Sequence, residues 1–437
     1  MILTRLRLGL LALAMGLGLW TAGASAHAAP APSAGDPSRE VLVLLRLPAE
    51  HFHPGGDYAD AYGDGAGAAA RRRVAQKIAA EHGLKLVTSW PIPLIGVDCF
   101  VMTIPDGQTP DQVVAGLTRD PNVAGAEPMH VYRAQASADP AITAKHESAK
   151  DGGRSGEATH NDPLFRAQPA AREWRLAELH LAATGRNVKV AVIDSMVDGG
   201  QPDLTGQIQT NQDFVMGHGT GPEQHGTGVA GIIAGIADNR IGIAGVAPRA
   251  RLMALRACWQ TAAAPPGHAE TLCDSLSLAK ALHFAIEHHA QVINLSLSGP
   301  ADPLLGRLID AAEAKGIVVV GAIDPHAADG GFPASHPGVV AVSDDPATGI
   351  AGAFVAPGRE TPTTQPGGRF AFVSGSSYAA AHVSGLFALL KEKNGRAATP
   401  VSLVTIHPGG GPIDTCASLL HSSCPQPAGG YPTVARE

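Results

Sequence analysis

Five apolar, β-rich runs, "VKVAVID", "RLMALRA", "QVINLSLS", "GIVVVGAI" and "GVVAVSD", occupy the second half of the chain. Helical stretches such as "SLSLAKALHFAIEHHA" and "PLLGRLIDAAEAKG" separate them. A strand that is apolar without interruption is buried on both faces, and strands alternating with helices require a parallel sheet covered on both sides. The fold class is therefore α/β, with a doubly wound parallel sheet. In such sheets ligands and chemistry gather at the carboxyl ends of the strands, so polar residues there carry the functional signal.

A different pattern precedes this region. "EVLVLLRLP" reads as a strand, "AAARRRVAQKIAAEHG" as a helix, "LKLVTSWPI" and "GVDCFVMTIP" as strands, "TPDQVVAGLTRD" as a helix and "VAGAEPMHVYR" as a last strand. The order β-α-β-β-α-β is the split βαβ arrangement, a small α+β ferredoxin-like domain. Residues 134–161, "AQASADPAITAKHESAKDGGRSGEATHN", lose apolar periodicity and read as a linker open to cleavage. At the N-terminus, Arg5 and Arg7 precede an apolar run from Leu8 to Leu19, and small residues lead to a cut after Ala26. That is the pattern of a secretory signal peptide. The expected divisions are 1–26 signal peptide, 27–133 small domain, 134–161 linker, 162–400 parallel-sheet domain and 401–437 a Pro/Gly-rich tail wrapping the surface.

The formal charge of −7 excludes a nucleic-acid face, and the Arg71–Arg73 triplet reads as a solvated helix surface. No later run is apolar enough for a membrane span, so no membrane partner is expected after signal removal. An exported chain with five cysteines is expected to form disulfides. The local pairs Cys258 with Cys273 and Cys416 with Cys424 are chosen among three connectivities, leaving Cys99 as inert buried filling.

Three polar interruptions fall at element boundaries. Asp194 ends "VKVAVID", His225 opens the apolar helix "HGTGVAGIIAGIA", and Ser377 opens the helix in "FVSGSSYAAAHVSGLFALL". Each has a bland reading as a turn or cap residue. Together they are the parts of acyl transfer: a hydroxyl nucleophile, an imidazole base and a carboxylate that orients the base. Gly226, Gly228 and Gly375 favour the chemical reading by clearing side chains from around the imidazole and hydroxyl.

The order Asp, His, Ser and the blocks "VAVIDS", "HGTGVAGIIAG" and "SGSSYAAAHVSG" resemble the three signatures of subtilisin-like serine proteases, the subtilase family or peptidase family S8. The resemblance implies a subtilisin-like catalytic domain in which Ser377 is the nucleophile, His225 the general base and Asp194 its orienter. It implies that the small domain is a propeptide, an intramolecular inhibitor and folding chaperone that is later removed from a zymogen. It further implies an extended polypeptide substrate lying along Ser296, Leu297, Ser298 and Gly299, secretion to an extracellular or periplasmic location, and a monomer. No cofactor is expected for catalysis. Structural calcium is implied at family level only; no metal ligands are assigned.

The chain departs from the family pattern at four places. Met196 stands where relatives have Gly, Ser376 where they have Thr, and Ala381 where they have Pro. The fourth concerns catalysis: relatives place an Asn that binds the oxyanion after the strand here written "GIVVVGAIDPHAADGGFPAS", which contains none. Ile323, Asp324 or Pro325 takes its place, and of these only a protonated Asp324 can donate from its side chain. The expected activity is a secreted serine endopeptidase. The competing reading is a weakly active or non-catalytic relative that binds extended peptides.

Overall fold

The computed structural model describes residues 36–46, 65–138, 159–261, 269–394 and 402–421. The signal-peptide reading of residues 1–26 and the pairing of Cys424 fall outside the described residues. Among the described residues no helix is long and apolar enough to cross a membrane.

The large sheet has eight strands, all paired in parallel. Its spatial order is Gly411–Pro412, Phe354–Val355, Val340–Ser343, Val318–Ala322, Val292–Leu295, Lys189–Asp194, Arg251–Arg256 and Ile208–Asp213. The period of two along a strand sends alternate residues to opposite faces. Val190 and Val192 accordingly join one core with helices Gln224–Ala234 and Ser376–Asn394, while Ala191 and Ile193 join the other with helices Ser275–Glu287 and Pro303–Ala314. Burying each large aliphatic side chain contributes about 1.5–3 kcal/mol, and this is why the runs are apolar throughout.

Residues expected to form a surface tail instead extend this domain. Gly411–Pro412 is one of the sheet's two edge strands, and helix Thr415–Leu420 buries Cys416 and Leu419. Two-residue strands carry no readable periodicity, so in the sequence this segment reads as a surface tail.

The small domain has the order strand Glu40–Arg46, helix Gly65–Glu81, strands Lys85–Ile92 and Val97–Thr103, helix Pro110–Leu117 and strand Val123–Pro128. Its antiparallel sheet runs Lys85–Ile92, Val97–Thr103, Glu40–Arg46, Val123–Pro128. Val41, Val43 and Leu45 pack under its two helices, against Ile78, Val113 and Leu117. Leu42 and Leu44 point the other way, into the core that holds Leu304, Leu305 and Leu308 of the large domain. One apolar cluster thus crosses the junction of the two domains. Arg71 of the triplet pairs with Asp98, and Arg72 and Arg73 are exposed.

"VAGAEPMHVYR" is not one strand. Val123–Pro128 pairs within the small domain, whereas Val131–Ala134 leaves it and pairs with Thr271–Asp274 and Leu297–Ser298 of the large one. The break at Met129 and His130 follows Pro128, whose missing N–H weakens a continuing ladder. The linker is also held at both ends: Ser137–Ala138 pairs with Arg369–Ser374, and at the far end His160 bonds Asp238 at 2.9 Å and His180 at 2.8 Å. Residues 139–158 lie outside the described part.

Candidate active site

Asp194 closes its strand at the carboxyl edge of the sheet, next to the strand Val292–Leu295 that leads to Ser296. His225 is the second residue of helix Gln224–Ala234, which is tied to the loop after Asp194. A Cβ on Gly226 would stand 2.2 Å from the Ser195 carbonyl oxygen, so glycine lets the helix seat against that loop. This is a different reason from clearing space around the imidazole. Gly228 likewise faces Thr363 and Tyr378. The seating brings His225 Nδ1 to 2.7 Å from Asp194 Oδ1, with both side chains buried. The Asp194 carboxylate also accepts from the Ser195 N–H at 2.6 Å. His225 Nε2, the atom left to act as base, is buried and without a hydrogen-bond partner among the described residues.

A charged network fixes the same junction from behind. Arg256 is 1% exposed and pairs with Asp213 at 2.9 Å and Glu223 at 3.4 Å. Glu223 in turn accepts the N–H of Met196 at 2.7 Å. The residue that departs from the family pattern is therefore anchored through its backbone, which any side chain permits.

Ser377 sits at the start of helix Ser376–Asn394, after Gly375 at φ 137°. That backbone conformation suits glycine, and a Cβ there would also come within 2.4 Å of the Gln135 carbonyl oxygen. Ser376 and Ser377 divide their work. The Ser376 hydroxyl donates to the Ile323 carbonyl at 2.5 Å and ties the helix start to the neighbouring strand end. The Ser377 hydroxyl donates to the Ser296 carbonyl at 2.8 Å and accepts from the Gln135 N–H at 2.9 Å. It is thus turned away from His225 Nε2. A buried chain from Ser384 through Asn294 to the Ser296 hydroxyl ends on the Ser377 carbonyl and holds the turn. The other histidine of this helix, His382, is held neutral: burial pushes it down to about 4, and Nδ1 is bonded to the Tyr378 carbonyl.

The segment 131–138 runs through this site. Val131–Ala134 forms the middle of a sheet with Thr271–Asp274 on one side and Leu297–Ser298 on the other, in registers Cys273 to Tyr132 and Ser298 to Arg133. The Gln135 carbonyl oxygen then accepts the Ser377 N–H at 3.0 Å. Beyond it, Ser137 and Ala138 pair with Ser374 and Val373. Of the four residues expected to line a bound strand, only Leu297 and Ser298 pair with this one. Ser296 instead positions Ser377, and Gly299 bridges to Phe332.

The second edge, Thr271–Asp274, was missed from sequence. Its available signal was the Cys258–Cys273 bridge, which forms with an S–S distance of 2.08 Å and pins this short strand to Cys258–Gln260. Cys416 is also disulfide-bonded. Cys99 is free and buried, and burial pushes its thiol well above the usual range. Asp324 lies two residues beyond strand Val318–Ala322, with its carboxylate accepting the His326 N–H at 2.8 Å in a tight turn. Among the described residues His160, Asp162 and Asp238 come close enough to share a cation, with ligand atoms within 4.8 Å. Their geometry already serves the linker exit: Asp162 accepts the N–H groups of Asp238 and Asn239.

The family model described as "Subtilase family" matches residues 185–406, half of the chain. Thermitase of Thermoactinomyces vulgaris is 31% identical over 268 residues, covering 56% of this chain and 88% of its own. The chain is a subtilase. Subtilisin E of Bacillus subtilis (strain 168) is 35% identical over 230 residues, 48% of this chain, and the match spans only 57% of that relative's length. The crystal structure of fervidolysin from Fervidobacterium pennivorans, described as a keratinolytic enzyme related to subtilisin, shares the fold with a TM-score of 0.62 at 21% identity. That superposition covers 91% of this chain and 65% of fervidolysin. Asp194, His225 and Ser377 all lie within the matched residues 185–406.

Proposed function

We propose that this subtilase is an exported serine endopeptidase, made as a zymogen, whose first substrate is its own Gln135–Ala136 bond. The observation that carries the reading is the seating of residues 131–138, held as a strand on both sides with the Gln135 carbonyl on the Ser377 amide. In the reaction Ser377 Oγ rotates from the Ser296 carbonyl to His225 Nε2, gives up its proton there and bonds to the Gln135 carbonyl carbon. Asp194 holds Nδ1–H and stabilises the imidazolium that forms. The Ser377 N–H receives the oxyanion, and His225 returns the proton to the Ala136 nitrogen as the peptide bond breaks. Water then releases the acyl group by the same path in reverse. Main-chain pairing explains how diverse extended polypeptides are accepted, with preference left to side-chain pockets. Export rests on the signal-peptide pattern, and one chain supplies every group invoked.

The test is a fluorophosphonate probe on processed protein. A covalent label on Ser377 supports the reading, and an unlabelled but folded and processed protein overturns it.

Asp324 is proposed to stand at the place of the second oxyanion donor. Asp324→Asn supplies an uncharged donor of similar shape and is expected to raise turnover near neutral pH, because loss of such a donor costs roughly 10²–10³ in turnover. Identical pH–turnover profiles for the wild type, Asp324→Asn and Asp324→Ala would make Asp324 a bystander.

A further inference from the structure

Tyr132 is 0% exposed, although it belongs to the segment that leaves after cleavage under the reading above. Counted back from the carbonyl at Gln135, it is the fourth residue on the amino side of the proposed scissile bond. Its ring enters beside Gly299, where a Cβ would stand 2.4 Å from Tyr132 Cδ1, and meets Phe332 with ring centroids 6.3 Å apart. The far end of this slot is polar. The Tyr132 hydroxyl lies 3.2 Å from the Pro300 carbonyl oxygen and 3.2 Å from Asp302 Oδ2.

The Asp302 side chain is 0% exposed and is fixed by its own domain. Oδ1 accepts the Leu305 N–H at 2.9 Å, capping helix Pro303–Ala314, and Oδ2 accepts the Ser275 hydroxyl at 2.6 Å. Both bonds come from the large domain, so they remain when the residues up to Gln135 have gone. His130, two residues before Tyr132, is also 3.3 Å from Oδ2.

We propose that Asp302 is a specificity-determining residue that selects tyrosine over phenylalanine at the fourth residue on the amino side of the cleaved bond. The proposal rests on the endopeptidase reading and adds a substrate class to it. A phenylalanine ring fills the same slot and brings no donor to the Asp302 carboxylate or the Pro300 carbonyl. Tyrosine brings that donor, and hydrogen bonds to charged groups are the stronger kind. A phosphorylated or sulfated tyrosine carries negative charge to the same carboxylate and is rejected.

Full-length protein is allowed to process itself and is then given peptides Xaa-Arg-Ala-Gln-Ala-Ser, with Xaa tyrosine or phenylalanine. The expected kcat/KM ratio favours tyrosine by roughly ten- to a hundredfold. In Asp302→Asn, which keeps an oxygen for the Leu305 cap, the ratio is expected to fall towards one. The ratio, rather than the rate, separates a specificity role from a structural one. If the variant does not fold, the comparison on unmodified protein decides alone, and equal kcat/KM for the two peptides overturns the proposal. Failure to cleave either peptide while Ser377 still takes a fluorophosphonate overturns it and leaves the peptidase reading standing. Failure of both cleavage and labelling overturns the two together.

Discussion

Full-length protein carrying Ser377→Ala is expected to accumulate uncut, with the small domain still attached to the large one. Turnover of added peptide is expected to fall on the order of 10⁶-fold, the size of loss when a serine triad acts without its nucleophile. The fold is expected to survive, because the lost hydroxyl makes two hydrogen bonds, to the Ser296 carbonyl and from the Gln135 amide. Such bonds are each worth about 1 kcal/mol net. Ser376→Ala is the matched control. Its hydroxyl donates to the Ile323 carbonyl, so its loss is expected to lower stability by about 1 kcal/mol and leave most turnover in place. Intact mass of the purified chains and peptide turnover read both outcomes. A processed Ser377→Ala protein beside an uncut Ser376→Ala protein would move the nucleophile to Ser376.

The residues that were readable in advance are those whose neighbours obey a local rule. Asp194, His225 and Ser377 interrupt apolar runs at element boundaries, and the parallel sheet brings the ends of such runs to one edge. The Asp194–His225 bond follows from that edge and from Gly226, yet the sequence does not say that Ser377 rests on Ser296. That depends on a rotamer choice between two buried acceptors. The split βαβ domain was readable because its strands and helices are long enough to show their periods. What escaped has no local period. Thr271–Asp274 is four residues beside a disulfide, Gly411–Pro412 is two, and Val131–Ala134 looked like the continuation of its neighbour. Each acquires its role only from the strand it pairs with, far away in sequence. The Tyr132–Asp302 contact spans 170 positions and ends on an aspartate, a residue type that is ordinarily exposed.

Release of the cleaved small domain is expected to accelerate as pH rises, with Glu127 as the responsible group. Glu127 is the penultimate residue of the small domain's last strand and is 5% exposed, directly beside buried Asp302. Burial, followed by the negative Asp302, pushes its carboxyl from an ordinary 4.5 up to about 9. Asp302 remains the ionised partner: burial opposes its charge, but hydrogen bonds from His130, the Leu305 N–H and Ser275 outweigh burial and hold its pKa below the usual carboxylate value. The other groups that bear on the pair are the Leu304 N–H and Arg307, which favour the ionised Glu127, and Tyr132 and Cys99, which burial holds neutral. Once separated, Glu127 is solvated and returns towards its ordinary value. The pKa is therefore raised in the complex, so the contribution to association is full below about 4.5 and is lost as pH climbs towards about 9. Within that window affinity falls by up to about tenfold per pH unit, the limit for one linked proton. Glu127→Gln keeps the shape and a hydrogen-bond donor without the charge. It is expected to flatten the dependence and keep the cleaved domain bound at alkaline pH. Gel filtration of the processed complex across this range, with wild type and variant compared, reads the result. Wild-type and Glu127→Gln complexes that dissociate in parallel at every pH would show that Glu127 enters and leaves the interface without changing its protonation.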